Sequence, residues 1–282
     1  MRVRIGILLT LFSILNAAYA QQYEFSVSGV GTGYIGDINP TNPFYFKNIG
    51  LSTSAKYNFN STLGVHLAYS NLQINGADRD NSNPFHQQRN LSFNNNLSEI
   101  ALIGEFNFFR YTPGHHINVY TPYITLGVAT VFHDPYILYN DNKVMLRDLL
   151  LEADAEGQSI VSKKMAMAIP IGMGLKYNIK GPWTLAADIS YRTVLNDQID
   201  NVSQYYNNLA PLDHYLPPFE LVESGRKRPL NQADWNILAD PSGRLIDNIG
   251  TSRGNGKKFD GYMTAGIKLS YTILSSKCYW WQ

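Results

Sequence analysis

From Tyr23 onward the chain keeps returning to a period of two, with large apolar side chains at every second position and small or polar ones between them. Successive side chains of a β-strand point to opposite faces, so each such segment commits one face to an apolar medium. The clearest run is Met167, Ile169, Ile171, Met173, Leu175 and Tyr177, interleaved with Ala168, Pro170, Gly172, Gly174 and Lys176. It recurs in Trp183, Leu185, Ala187, Ile189 and Tyr191 against Thr184, Ala186, Asp188, Ser190 and Arg192, and over 259–273 against Asp260, Thr264, Lys268 and Ser270. Earlier repeats cover 23–34, 46–57, 63–72, 91–108 and 120–132, for eight strands in all. In the fourth, the apolar parity changes between Leu97 and Ile100, which predicts either a bulge near 96–98 or a strand confined to its second half.

The 282 residues are 44% hydrophobic and 16% charged, enough to bury a core and too apolar for a disordered chain. The first 20 residues read as a cleaved secretory signal: Arg2 and Arg4, an apolar run of 11 residues over 5–15, and the small-x-small site Ala18-Tyr19-Ala20. That run is too short for a spanning helix, and no later segment is a helical span. Twenty-three basic residues stand against 22 acidic ones, and removing Arg2 and Arg4 leaves 21 against 22, so a charge-driven nucleic-acid binder is excluded. The single Cys278 makes no internal disulfide, and an exported domain without one needs another source of closure.

The connectors between the strands run about 11, 5, 18, 11, 32, 5 and 63 residues. Short turns on one side and long loops on the other predict an all-β, eight-stranded, antiparallel up-and-down outer-membrane barrel over 21–274, with long loops at 133–164 and 195–257 outside and both termini in the periplasm. A tail over 275–282 follows. On the apolar parity, Tyr57, Tyr177, Trp183 and Tyr271 fall at the short-turn end and Tyr69, Tyr191 and Phe259 at the long-loop end, as two interfacial aromatic girdles would. A soluble calyx of lipocalin type would instead turn the apolar parity inward. The girdles, the loop asymmetry and the last strand, Thr264-Ala-Gly266-Ile-Lys-Leu269-Ser-Tyr271, favour the membrane barrel; that strand resembles the signal read by the bacterial barrel-assembly machinery.

An eight-stranded lumen is wide enough only for side chains, so the cylinder should be plugged. Inward parity puts Glu24, Lys56, Glu105, Lys176 and Lys268 near the periplasmic end, where an ion-pair network would close it. No catalytic, cofactor or metal site is predicted. His66 with Ser70 reads as an interior residue, His115-His116 as a polar turn, and Glu152, Asp154 and Glu156 as a solvated helix end without the spacing of a calcium loop. Met145, Leu146, Leu149 and Leu150 suit one face of a short helix over the mouth. The aromatic and proline residues of the last loop, Tyr205-Tyr206, Pro211, Tyr215, Pro217-Pro218-Phe219 and Trp235, predict a folded cap or a docking surface. Its Arg226-Lys-Arg228 run reads as a solvated patch near lipid phosphates.

Several ordered segments resemble the PorG-like outer-membrane barrels of the type IX secretion system in Bacteroidota: Tyr34-Ile-Gly-Asp-Ile-Asn-Pro40, Arg89-Asn-Leu-Ser-Phe93, Glu105-Phe-Asn-Phe108, Thr121-Pro-Tyr123, Ala155-Glu-Gly-Gln158, Pro170-Ile-Gly-Met-Gly-Leu-Lys-Tyr177, Tyr191-Arg192, Asp197, Asp200-Asn-Val-Ser203 and Gly266-Ile-Lys-Leu-Ser-Tyr271. The resemblance implies a non-enzymatic component of a protein-export machine that contacts a periplasmic ring of the lipoprotein PorK and its partner PorN, with outer-membrane lipid around it and no small-molecule substrate or nucleic acid. On that reading the short turns and the tail residues Cys278, Tyr279, Trp280 and Trp281 meet the ring, and Cys278 is either a free thiol or paired with a cysteine of a ring protein. Two other classes stay open: a structural or adhesive barrel of OmpA or OmpX type acting through its outer loops, and an outer-membrane hydrolase or acyltransferase using His66, His133 or His214.

Overall fold

The computed structural model describes residues 22–39, 42, 44–114, 118–207, 220–223, 225–254 and 256–273. Eight long strands form the staves of a closed barrel: β1 Gln22–Ile35, β2 Asn48–Asn58, β3 Leu63–Ala77, β4 Ser92–Asn107, β5 Tyr120–Phe132, β6 Met165–Lys180, β7 Trp183–Val194 and β8 Gly261–Ile273. Each pairs antiparallel with the next, and β8 returns to β1 in a continuous register from Tyr23 against Ile273 to Ile35 against Gly261. Closure gives every stave two neighbours and removes the exposed edge that an open sheet of this composition would carry.

The outward parity is apolar and bare. Leu126, Val128, Ile171, Met173, Leu175 and Ile267 are all at least half exposed, side by side around the wall. A continuous apolar belt of this size is stable only against lipid. Aromatic rings collect at its short-turn edge, where Tyr23 packs on Tyr57 at 5.4 Å, Trp183 on Tyr271 at 5.0 Å and Phe106 on Phe108 at 5.5 Å between centroids. The inward parity carries Ser26, Ser28, Ser70, Thr264 and the charged residues described below, all buried, so the lumen is not an apolar ligand chamber. The calyx alternative fails on that distribution.

β4 shows why its parity looked broken. Its burial alternates without interruption, and its register against β3 runs unbroken from Phe106 against Leu63 to Ser92 against Ala77. There is no bulge at 96–98, and the strand is not confined to its second half. What changes is the surroundings. Past Tyr69 and Ile100 the outward residues become Asn71, Gln73 and Asn75 on β3 and Ser98, Asn96 and Asn94 on β4, while Leu72, Ile74, Phe93 and Leu97 point inward and are buried. The two staves rise above the lipid belt, and there water is outside and a loop core inside. The irregularity in the wall lies elsewhere, between Trp183 and Thr184, where the β6–β7 turn passes through Gly181 at φ +53° and Asn178 donates to the Gly181 and Trp183 carbonyls at 2.9 Å each.

The long connectors fold over one end. The hairpin Tyr136–Tyr139 with Asn142–Met145 extends the wall from β4, and one 3-10 turn, Arg147–Leu149, follows it. Residues 145–150 are therefore not a helix: Asn140 and Asp141 adopt positive φ values of 47° and 60°, which turns the chain back on itself as a two-residue hairpin and takes Met145 into a strand.

Ile171→Arg puts a charge into the middle of the lipid belt and is expected to cost about 2–4 kcal/mol of stability in a bilayer, against a few tenths for Glu156→Arg in an outer loop. Denaturant unfolding of both variants in the same lipid checks this, and equal costs would contradict the register.

Candidate functional site: the filled lumen and the closed mouth

Near the short turns, Glu24 on β1 stands directly across from Lys56 on β2, with Glu105 of β4 and Lys176 of β6 completing a ring of four buried charges. The Lys56 ammonium donates to Glu24 at 3.1 Å and to Glu105 at 2.5 Å. Lys176 donates to the same Glu105 oxygen and to Asn107 Oδ1 at 3.4 Å. Two carboxylates face two ammonium groups, so the cluster is neutral as a whole, although none of its members could be buried alone. Lys268 stands apart from this ring, paired with Asp188 at 3.0 Å. Tyr123 links the two levels: its hydroxyl donates to Asp188 at 3.0 Å, and its ring lies 4.7 Å from the Lys176 ammonium and 5.8 Å from that of Lys268.

Above a cavity of about 60 Å³ walled by serines and His66 comes a third level. Arg192 of β7 donates twice to Glu99 of β4, at 3.0 and 3.3 Å, and also to Thr264, while the Tyr262 hydroxyl donates to Glu99. Glu99 is hidden in the sequence because the apolar residues of its strand change parity between Leu97 and Ile100. The signal was present in the odd-numbered series Glu99, Ala101, Ile103, Glu105, which shares one face.

The mouth is closed by a second, apolar core. Tyr34 packs edge-on against Phe93 at 4.7 Å, and Ile38, Val144, Leu149, Leu151, Ile199 and Val202 are buried around them. The helix Gln232–Ala239, opened by a capping box of Asn231 and Asp234, drives Trp235 into this core, where its indole N–H donates to the Leu149 carbonyl at 2.8 Å. The last loop is thus a folded cap over its described residues. Pro211, Tyr215, Pro217, Pro218 and Phe219 lie outside them, as do His115, His116, His214 and the tail with Cys278, Tyr279, Trp280 and Trp281.

Polar ties bind the cap to the staves. Arg89 clasps Asp78 with two bonds of 2.7 Å and donates to the carbonyls of Asp37 and Arg253 at 2.9 and 2.8 Å. Arg253 donates to the Asn201 carbonyl at 2.6 Å and to Glu152 at 3.3 Å. Glu152 also accepts from the N–H and hydroxyl of Ser203, at 2.7 and 2.8 Å. Glu152 is therefore neither solvated nor at a helix end: it is buried in the short strand Glu152–Ala153, paired with Tyr205–Tyr206, because Arg253 and Ser203 supply the partners that water would have supplied. Arg228 is likewise tied, to Glu223 at 2.6 Å and to Asp234, so it is not a free patch.

Beneath the cap, the Tyr34 hydroxyl lies between two buried carboxyls, donating to Asp200 and standing 3.3 Å from Asp260. Asp200 also accepts from the Val202 N–H at 2.9 Å, and Asp260 from the Ile199 N–H at 3.3 Å. Burial, reinforced by Asp37 and Asp197 and, for Asp260, by Asp200, pushes both carboxyls well above the usual carboxylate range. Burial pushes neighbouring Asp197 up to about 8, with Asp37 and Glu152 adding to it. The cations facing this cluster, Arg89 and Arg253, are committed to Asp78 and Glu152.

His66 Nε2 and both ring nitrogens of His133 have no hydrogen-bond partner, and burial pushes His133 down to about 4. Ser70 donates to Ser52, not to His66. Among the described residues no group of three or more His, Cys, Asp or Glu side chains is arranged to hold a metal ion.

Two outcomes follow. Glu105→Gln leaves Lys56 with Glu24 alone and takes from Lys176 its carboxylate partner, and should cost about 3–5 kcal/mol in denaturant unfolding, whereas Glu156→Gln should be neutral. Because Asp197, Asp200 and Asp260 hold protons more tightly folded than unfolded, their contribution is complete below about pH 4 and is lost as pH rises towards 8 and beyond. The melting temperature in detergent should fall from pH 5 to pH 9, and Asp197→Asn with Asp200→Asn should flatten that slope.

Comparison with known proteins bears on the family. A model of the family described as Domain of unknown function (DUF6089) matches residues 3–215. No curated protein matches the chain. Among solved structures, OprG from Pseudomonas aeruginosa is 10% identical with a TM-score of 0.41, covering 91% of this chain and 97% of that one. Ail, the attachment invasion locus protein of Yersinia pestis, is 9% identical with a TM-score of 0.40, covering 89% and 98%. The N-terminal β-barrel domain of Pseudomonas aeruginosa OprF is 12% identical with a TM-score of 0.36, covering 89% and 97%. At such scores none of their properties carries over. With the family match spanning well over half of its length, the chain belongs to the DUF6089 family.

Proposed function

We propose that this protein is a non-conducting barrel of the bacterial outer membrane and a component of the type IX protein secretion machine, holding the periplasmic PorK/PorN ring at the membrane through its short turns and C-terminal tail. The observation that carries this reading is the filled lumen. Among the described residues three levels of paired charge and a folded cap fill the lumen and its mouth, which supports a barrel that works through its two ends. The resemblance noted in the sequence supplies the machine, and three of its segments meet at the mouth. Tyr34, Arg89, Asp200 and Ser203 belong to one bonded unit at the mouth. An anchor needs a rigid body of this kind, with chemistry reduced to contact.

A second reading, a structural or adhesive barrel, is favoured by one feature: the long loops are a packed cap with Trp235 at its centre, which would present a defined outer surface. The two readings differ in which end matters. Gentle detergent extraction of the tagged protein from its own membranes, followed by mass spectrometry, should recover the ring proteins, and Trp280→Ala with Trp281→Ala should release them. Recovery of the barrel alone, with export intact after its deletion, would leave the adhesive reading. On either reading, purified protein in planar bilayers should pass no stable current, and large sustained openings would contradict the plug.

A further inference from the structure

At the outer rim, three chain segments run side by side where β6, β7 and β8 leave the lipid belt. The Leu195 N–H donates to the Met167 carbonyl at 2.8 Å, the Asp260 N–H to the Asn196 carbonyl at 3.1 Å, and the Lys163 N–H to the Gln198 side chain at 3.2 Å. Between them lies an open groove of about 550 Å³, lined by Lys163, Lys257 and Lys258 together with Gln198, Gln204 and Tyr205. All three lysines are exposed, and a fourth, Lys164, flanks the groove, 3.2 Å from Asp134. Lys163 and Lys258 have no ion-pair partner among the described residues. Immediately beside these lysines the chain carries Met165, Leu195 and Phe259, exposed by 54%, 42% and 53% as the upper edge of the lipid-facing surface.

We propose that this groove binds the phosphorylated headgroup of a glycolipid in the surrounding outer leaflet. Cationic groups concentrated one or two residues above an apolar belt meet the charge that such a lipid carries at that depth, and its acyl chains would run down the wall past Met165 and Phe259. Among the described residues the only carboxyl lining the groove is Asp197, whose burial, with Asp37 and Glu152 adding to it, raises its pKa, so it opposes an anion less than an exposed aspartate would. A free phosphate would satisfy the lysines but would leave the apolar edge unused. The Arg226-Lys-Arg228 run, which the sequence also marked as basic, is the weaker candidate, because Arg228 is already engaged by Glu223 and Asp234.

The inference rests on the long loops facing outward, and the test separates the two. Purified full-length protein in detergent is titrated with lipid A, with lipid A stripped of its phosphates, and with inorganic phosphate. Binding of the phosphorylated lipid should weaken about tenfold or more on removing the phosphates, and by a similar factor in Lys163→Gln/Lys257→Gln/Lys258→Gln. These side chains are solvent-exposed, and heat-modifiable gel mobility reports that the variant barrel is folded. Equal affinity for both lipids, unchanged affinity in the variant, or displacement by millimolar inorganic phosphate would each overturn the proposal. Orientation is read separately: a membrane-impermeant amine reagent should label Lys163 on intact cells. Failure to label while lipid A still binds in detergent would count against the outward loops and not against the groove.

Discussion

A wall standing in lipid has no solvent for its backbone, and the whole structure follows from the way β8 closes on β1. Every stave then exchanges its N–H and C=O groups with two neighbours, which makes the apolar outer face tolerable in a bilayer. The period of two that serves this closure sends every other residue into a narrow lumen. Whatever is polar in the staves has nowhere else to go, and it must be satisfied by other staves.

That constraint explains the layered interior. Glu24, Lys56, Glu105 and Lys176 neutralise each other at one level, Asp188 and Lys268 at the next, and Glu99 and Arg192 near the mouth, with Tyr123 and Tyr262 supplying hydroxyls between them. Buried ion pairs of this kind add little net stability compared with an apolar core. Their consequence is that the lumen is filled by side chains from every side of the wall. At the outer end the medium changes within single strands: β3 and β4 climb out of the lipid, and their faces exchange character to hold the cap.

Much of this could be read in advance. The parity of β6, β7 and β8, the alternation of short and long connectors, and the inward positions of Glu24, Lys56, Glu105, Lys176 and Lys268 are local properties of a pleated chain. What misled the reading lay above the belt. Leu97 and Phe93 looked like a register error because an apolar side chain was assumed to face lipid, whereas both face a loop core that exists only once distant loop residues such as Val144, Leu149, Ile199 and Trp235 have packed together. Glu152 looked solvated because its partners, Ser203 and Arg253, are 51 and 101 residues away.

By itself, the sequence determined that eight strands would form, that their apolar faces would share one medium, and that their charges would point the other way, since strand pleating depends on nearest neighbours alone. Only the tertiary structure decided which charge meets which. Lys268 joins Asp188 and not the ring below it, and Tyr34 lies between Asp200 and Asp260, because the closed wall and the folded loops set which inward side chains stand at the same height.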